Sequence, residues 1–557
     1  MTQQTDSSKR DTAVFTASWL PLVVILLAQI QMAFNVNALP VSIGPIVEEL
    51  QTPATSVGTA LVFYSLFVAA FVLVGAKIGK IFGERLVFQV MALAHGAAML
   101  IMAFSPTATV MNLAQALAGL AAAALVPTLV VLIAANYRDK QQAQALGIMA
   151  GTPAISGALA FFIAGLLGTV LSWRISFGML GVLAVLVFIL SFRLKPIPRQ
   201  AGIKIDGVGA LLAASGIILI SLGFNNLNAW GLVLARPAAP FTLVGLSPAP
   251  FMILLGIVLG QAFFWWAHRR VEKGKTPLLA LEVLESPEER SNIVAFLVIG
   301  ALGPAVNFLI PLYIQIVQNQ TSLFTAVAVV PYTLSIATSA ILIVRLYDRL
   351  TPRQIALAGF SIVAAGLTFL AFTIRNDWGT PTVIFSLILV GLGEGSLLTL
   401  LFNVMVSASP KELAGDVGAL RGVANNLSTA LGTAFAGVAA VLLLSLFVTS
   451  NLAQAAIPDS LKVQVNLDNV NFVTNDQLTA VLGETTATSA DVAEAVRINE
   501  TARLQALKAS FLILAGIALL ALLPALGLPN YAPGEIPPEG AAKGKRGKAA
   551  RPAPKKR

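Results

Sequence analysis

Apolar residues run along this chain in stretches of about 20, each closed by a short cluster of charged, glycine or proline residues, as expected of helices that cross a hydrocarbon core of about 30 Å. Fourteen such runs are read at 19–45, 55–78, 86–105, 110–136, 145–168, 175–194, 206–226, 250–268, 291–316, 322–345, 355–374, 381–406, 417–447 and 508–528. They predict an all-α membrane protein, since helices satisfy their own backbone in lipid. The first run follows a polar start, "MTQQTDSSKRDTAVFTAS". It exceeds the 7–15 apolar residues of a signal-peptide core, so it is read as a retained helix.

Composition agrees. The chain is 57% hydrophobic and 11% charged, whereas soluble domains hold roughly 45–50% and 25%. Charge adds an orientation. With the N-terminus inside, only seven of the 36 Lys and Arg fall on the outer side: Arg174, Arg236, Arg375, Lys462, Arg497, Arg503 and Lys508. That asymmetry predicts both termini in the cytoplasm, and it accounts for the net charge of +10 without a nucleic-acid partner. There is no Cys and there are two His, which excludes disulfides and argues against a zinc centre. No G-x-x-x-x-G-K-[ST] run occurs, so ATP is not the direct energy source. No enzyme chemistry and no cofactor are expected.

The sizeable outer segment, 448–507, carries Asp459, Asp468, Asp476, Glu484, Asp491, Glu494 and Glu500. "VQVNLDNVNFV" alternates around Asp468 and Asn469, a weak hairpin signal. The stretch after Thr488 reads as a helix capped by Thr488 and Asp491 and running into the last span. A small outer cap is expected; a merely solvated loop is the alternative. The tail 529–557 is basic and of low complexity. It is expected to be disordered and drawn to anionic lipid by about 1 kcal/mol per basic residue at the surface.

Several short patterns then add up: "ALP" at 38–40, "GKIFGER" at 79–85, "GTPAISG" at 151–157, "SWRISF" at 172–177, "EKGKTPLLALEVL" at 272–284, "PLYIQIV" in the ninth span and "RLYDRLTPR" at 345–353. In their order and spacing they resemble the fourteen-helix drug:proton antiporter branch of the major facilitator superfamily. The resemblance implies two six-helix bundles, 19–194 and 291–447 completed by 508–528. The insertion 195–290 contributes two helices, and 1–18 forms an inner tail. It also implies substrate binding between the bundles, alternating access, and action as a monomer in a bacterial-type inner membrane. The residues expected to govern conformation are Gly79, Lys80, Gly83, Arg85, Asp348 and Arg349 in the paired inner loops, with Gly151, Pro153 and Gly157 in the fifth span.

Departures from that branch concern charge. Gln31 stands where an Asp is usual, Lys80 reverses the sign of another Asp, and the fourth span has Gln115, Ala118 and Gly119 where an Arg and a Gln precede the Gly. An amide cannot titrate, whereas a buried carboxyl can do so near neutral pH; the first bundle is not expected to carry protons. Gln31 and Asn35 share a helix face, where they bond substrate or each other, or else fasten the first helix to its neighbours.

The proton-coupling candidates are Glu394, in "LVGLGEGSLL", and His95, in "MALAHGAAM". Glu394 lies roughly 20 Å along its helix. A charge there costs at least about 2.5 kcal/mol, which marks an ion or substrate path; the alternatives are a hydrogen-bonded neutral acid or a pair with Arg421. His95 reads equally as a packing residue. Further cavity candidates are Tyr64, Gln115, Asn307, Gln315, Tyr332, Asn403, Asn425 and Asn426. The function expected is export of hydrophobic or amphipathic small molecules, with protons as the coupling ion. The rivals are a facilitator or lipid flipper without proton coupling, and a transporter-derived sensor or assembly partner.

Overall fold

The computed structural model describes residues 18–137, 139–199, 205–279, 281, 287–347, 349–376, 381–408, 414–455, 471–484 and 487–530. Asp348, the hairpin expected around Asp468 and Asn469, most of the N-terminal tail and nearly all of the basic tail lie outside these residues.

Hydroxyl and carboxylate caps start many of the helices. Thr107, Ser172, Asp206, Ser247 and Thr321 each accept a first-turn N–H, and Thr351 and Gln354 form a reciprocal box ahead of Pro352. The helices are α1 (Leu20–Val41), α2 (Ile43–Leu50), α3 (Ala54–Phe82), α4 (Glu84–Ala103), α5 (Ala108–Asn136), α6 (Asp139–Val170), α7 (Trp173–Ser191), α8 (Gly207–Trp230) and α9 (Pro248–Glu272). After them come α10 (Pro287–Leu312), α11 (Ser322–Leu342), α12 (Pro352–Thr373), α13 (Pro381–Ala408) and α14 (Ala414–Ala453). A cap helix, Asn475–Gly483, precedes a terminal helix, Ser489–Leu520.

Among the described residues thirteen helices are long and apolar enough to cross a membrane, and within α6 the stretch Ile155–Val170 is a shorter apolar one. The expected first span, 19–45, is two helices: the chain breaks at Ser42 before α2, where Pro45 has no N–H to donate to Val41 O and its ring crowds that carbonyl. The part of the cap after Thr488 and the last span form one continuous helix, opened by the Thr488–Asp491 capping box. The turn at Gly83 has φ +98, a conformation that glycine alone adopts without strain.

Packing falls into two sets related by a repeat. In one, α3 and α4 lie on α5, α4 on α7, and α1 on α6. In the other, α11 and α12 lie on α13, α12 on the terminal helix, and α10 on α14. The sets meet at two equivalent seams, α3 with α14 and α6 with α11. The α8–α9 hairpin stands outside the repeat. Its α8 touches both α3 and α14, packing Ile217, Ile218 and Leu222 on Val62, Leu66, Ala430 and Ala434. Asn225 adds a bond to Thr59 Oγ1 at 3.3 Å.

Candidate functional site

Glu394 sits in the middle of α13 and is 7% exposed. Its Oε2 accepts a hydrogen bond from the Tyr332 hydroxyl of α11 at 2.5 Å. The space for the carboxyl comes from glycine: a Cβ on Gly303 of α10 would collide with it. Gly391 and Gly395 bring α13 against the α11 backbone at Tyr332 and Ile336, while Gly393 does the same toward Val363 of α12. Three helices thus close around one acid, which is held by a phenol and not by Arg421. The guanidinium of Arg421 lies over the Phe402 ring at 3.5 Å.

The first set has the same crossing without the acid. Tyr64 stands as far into α3 as Tyr332 does into α11, and Gly119 of α5 meets the Tyr64 backbone as Gly391 meets that of Tyr332. One turn on from Gly119, where Glu394 follows Gly391, α5 has Ala122. The polar groups of this half lie elsewhere. Gln31 Nε2 of α1 is 3.0 Å from His95 Nδ1 and donates to Ala92 O at 3.2 Å, while Tyr64 meets His95 edge-on at 6.3 Å. Asn35 and Gln115 exchange two bonds, at 2.8 and 2.9 Å. Gln31, Asn35, His95 and Gln115 are all fully buried, so they join α1 to α4 and α5. The other two amides of the first span, Gln29 and Asn37, are half-buried, and Gly157 of α6 lies against Asn37.

A second constellation ties the two sets together at the end assigned to the outside by the basic residues. The break before α2 leaves backbone groups open, and Gln315 takes both: Gly44 N–H donates to its Oε1 at 2.6 Å, and its Nε2 donates to Pro40 O at 3.2 Å. Gln315 belongs to a π-helical turn, Tyr313–Val317, that continues α10. Nearby, Leu323 N–H donates to Thr169 Oγ1 at 3.1 Å, and Gly165 lets α6 approach the start of α11. In the "SWRISF" corner, Glu49 accepts from Trp173 Nε1 at 2.6 Å and from Arg174 Nε at 2.7 Å.

The cap reaches the same region. Arg503 of the terminal helix, 1% exposed, donates to Ile316 O at 3.3 Å, to Val473 O at 2.5 Å and to Asn475 Oδ1 at 2.5 Å. Asn471 donates to Thr55 Oγ1 of α3 at 3.2 Å. Nothing in the sequence singled out Arg503 beyond its side of the membrane.

The remaining candidates scatter. Asn307 is half-buried and Asn425 exposed. Asn403 donates to the Tyr347 hydroxyl at 2.9 Å, and Asn426 to Gly422 O of its own helix. Gly79 makes room for the Glu84 carboxyl, Lys80 is half-buried, and Arg349 and Pro153 are exposed. Gly151 lies within α6. Among the described residues no group of three metal-ligating side chains occurs.

A family profile described as Major Facilitator Superfamily matches residues 25–433. The puromycin resistance protein pur8 of Streptomyces alboniger is 28% identical over 429 residues, covering 75% of this chain and 80% of the relative. The multidrug efflux pump LfrA of Mycolicibacterium smegmatis is 25% identical over 427 residues, covering 76% and 81%. Among solved structures, a bacterial homolog of the human lysosomal transporter Spinster aligns with a TM-score of 0.59 at 14% identity, over 90% of this chain and 96% of that one. That last likeness concerns the fold alone.

Proposed function

The chain belongs to the major facilitator superfamily, and on that footing we propose that it exports hydrophobic or amphipathic small molecules across a bacterial-type plasma membrane by alternating access, with Glu394 carrying the coupled proton. It is a secondary transporter and not an enzyme. The proposal includes fourteen spans: six in each bundle, 19–194 and 291–447 with 508–528, and two in the insertion 195–290. The repeated helix pairings support that division. Relatives named as a puromycin resistance protein and a multidrug efflux pump favour drug-like cargo and the outward direction.

One observation carries the coupling: a carboxyl enclosed at mid-span with a phenol as its recorded partner. A charged carboxylate in so closed a place needs more than one donor, whereas a protonated one does not. Loss of the proton therefore creates a demand that a cationic or hydrogen-bonding substrate can meet. Proton and substrate compete for one group, and competition across two access states yields exchange.

The rocking step follows from the seams. With the Gln315 clasp and the Thr169–Leu323 bond formed, the described arrangement is closed at the outer end. Outward release requires both to break. A facilitator without proton coupling is the second reading, favoured by the first half, which has Ala122 at the equivalent crossing and, elsewhere, the non-titrating Asn35–Gln115 pair.

Ethidium transport by purified protein in liposomes, under an imposed pH gradient, decides between them. Gradient-driven transport that Glu394→Gln abolishes is the expected result. Equal transport by both proteins regardless of gradient rejects coupling at Glu394 and favours the facilitator.

A further inference from the structure

At the inner end of the first half, the α3–α4 turn and the chain leaving α7 border an open cavity of about 250 Å³. Arg85, Arg199, Gln89, Gly83 and Ile197 contribute to its lining. It lies far along the chain from Glu394 and from the outer clasp; the resemblance gives Gly83 and Arg85 a conformational role, but the transport reading assigns no ligand to the cavity.

Three features give the cavity a donor character. Gln89 is 8% exposed, and its Nε2 has no hydrogen-bond partner, an unmet donor of the kind that natural structures rarely leave unfilled. Arg85 is held in place: one guanidinium nitrogen donates to Phe192 O at 3.1 Å, and the group lies 5.6 Å from the Phe192 ring centre. Gly83 is the N-cap of α4 and supplies no side-chain acceptor, so the first-turn amides lack a side-chain cap there. Arg199 reaches over the turn, its Cγ 3.8 Å from where a Cβ on Gly83 would stand.

The surrounding charge has the same sign. Lys80, Arg193 and Lys195 lie on the flanking segments with Arg85 and Arg199. The acid of the turn, Glu84, is buried against Gly79, with Lys80 as its charged neighbour. An anion is therefore the fitting guest. Beside the cavity, Leu86 and Val90 form an exposed apolar stripe along α4, spaced i, i+4 as one helix face requires, and Phe82 at the end of α3 is exposed next to it. Stripes of this kind face hydrocarbon anywhere on a membrane protein. Here one begins at a pocket of donors.

We propose that this cavity binds the phosphate of an anionic glycerophospholipid of the cytoplasmic leaflet. Arg85 and Arg199 engage the phosphate oxygens from the rim, Gln89 Nε2 donates from the buried wall, and the acyl chains lie along Leu86 and Val90. Guanidinium suits the task because its planar fork matches two phosphate oxygens at once.

The test is titration of the full-length protein, purified in a neutral detergent, with phosphatidylglycerol, read by native mass spectrometry and by thermal stability. Four variants are compared: Arg85→Gln, Arg199→Gln, Gln89→Leu, and Arg193→Gln as a charge control outside the cavity. Each pocket arginine removed is expected to weaken binding about fivefold. Gln89→Leu, which alters no charge, is expected to weaken it by a similar factor. Arg193→Gln should leave affinity within about twofold of wild type. Equal losses in all arginine variants with none in Gln89→Leu would mean diffuse attraction to a basic face and overturn the proposal. Stabilisation by inorganic phosphate as large as that by the lipid would overturn the lipid assignment in favour of a free anion.

Discussion

Tyr332 and Tyr64 occupy the same place in the two halves of the protein, each meeting a glycine of the crossing helix, but Tyr332 alone has an acid to bond. Glu394 lies one turn beyond that glycine, where the other half has Ala122. The repeat thus supplies an internal control for what the carboxyl contributes, and it shows where space was made for it.

Gly303 is the residue that leaves this space, so Gly303→Ala is expected to displace the carboxyl and separate it from Tyr332. Overpacking of this kind costs about 1–3 kcal/mol, and the expected loss in proton-driven transport is about tenfold or more. In a Glu394→Gln background the same substitution should add little, because contacting residues are not additive. Transport assays on the two singles and the double measure it. Additive losses would separate Gly303 from the acid.

The Asn35–Gln115 exchange should matter to stability more than to coupling. Asn35→Leu leaves the Gln115 amide buried without its partner, at a cost of about 1–2 kcal/mol in a membrane interior. Asn35→Leu with Gln115→Leu should recover part of it. Thermal unfolding in detergent reads the cost, and the pH dependence of transport should be unchanged in any variant that folds.

Gln315→Leu is expected to favour the outward-open state. Two hydrogen bonds at about 0.5–1.5 kcal/mol each correspond to a shift of roughly 5- to 150-fold in the equilibrium. The chain has no cysteine, so an introduced pair reports cleanly. A Cβ on Gly168 would stand 3.7 Å from Ser322 Cβ, within the range for a disulfide. Crosslinking of Gly168→Cys with Ser322→Cys should slow in the Gln315→Leu protein; an unchanged rate would remove Gln315 from the clasp.

Arg503→Met should free the cap. The change keeps the aliphatic length but leaves Ile316 O, Val473 O and Asn475 Oδ1 without their donor, and a buried charge-assisted network of this sort is worth several times 1 kcal/mol. Limited proteolysis from the outer side should then cut between Asn471 and Gly483 at least about tenfold faster than in wild type. Equal rates would show that Phe472, buried beside it, suffices to hold the segment.

Much of the architecture could be read from hydrophobic run length, because a bilayer fixes how long a helix must be. The place of Glu394 was legible for the same reason: a charge in such a run has few explanations. Its partner was not. Tyr332 stood in the pool of cavity candidates, and only the crossing of α11 with α13 joins the two. The four amides of the first span divide by helix face, Gln31 and Asn35 inward, Gln29 and Asn37 less so. Spacing alone put Gln31 and Asn35 together but could not say that each had a partner on another helix. Gln315 stood among the cavity candidates without its partners, and Arg503 escaped notice, because both bond backbone groups, which every sequence offers at every position.

The inserted helix α8, lying against α3 and α14 at once, gives the two halves something like the spine of a book. Covers joined along one edge swing apart along the other. Motion that parts α6 from α11 can proceed without tearing α8 from either neighbour, whereas motion that parts α3 from α14 cannot. A pair of helices outside the repeat thereby turns two interchangeable seams into a hinge and a mouth.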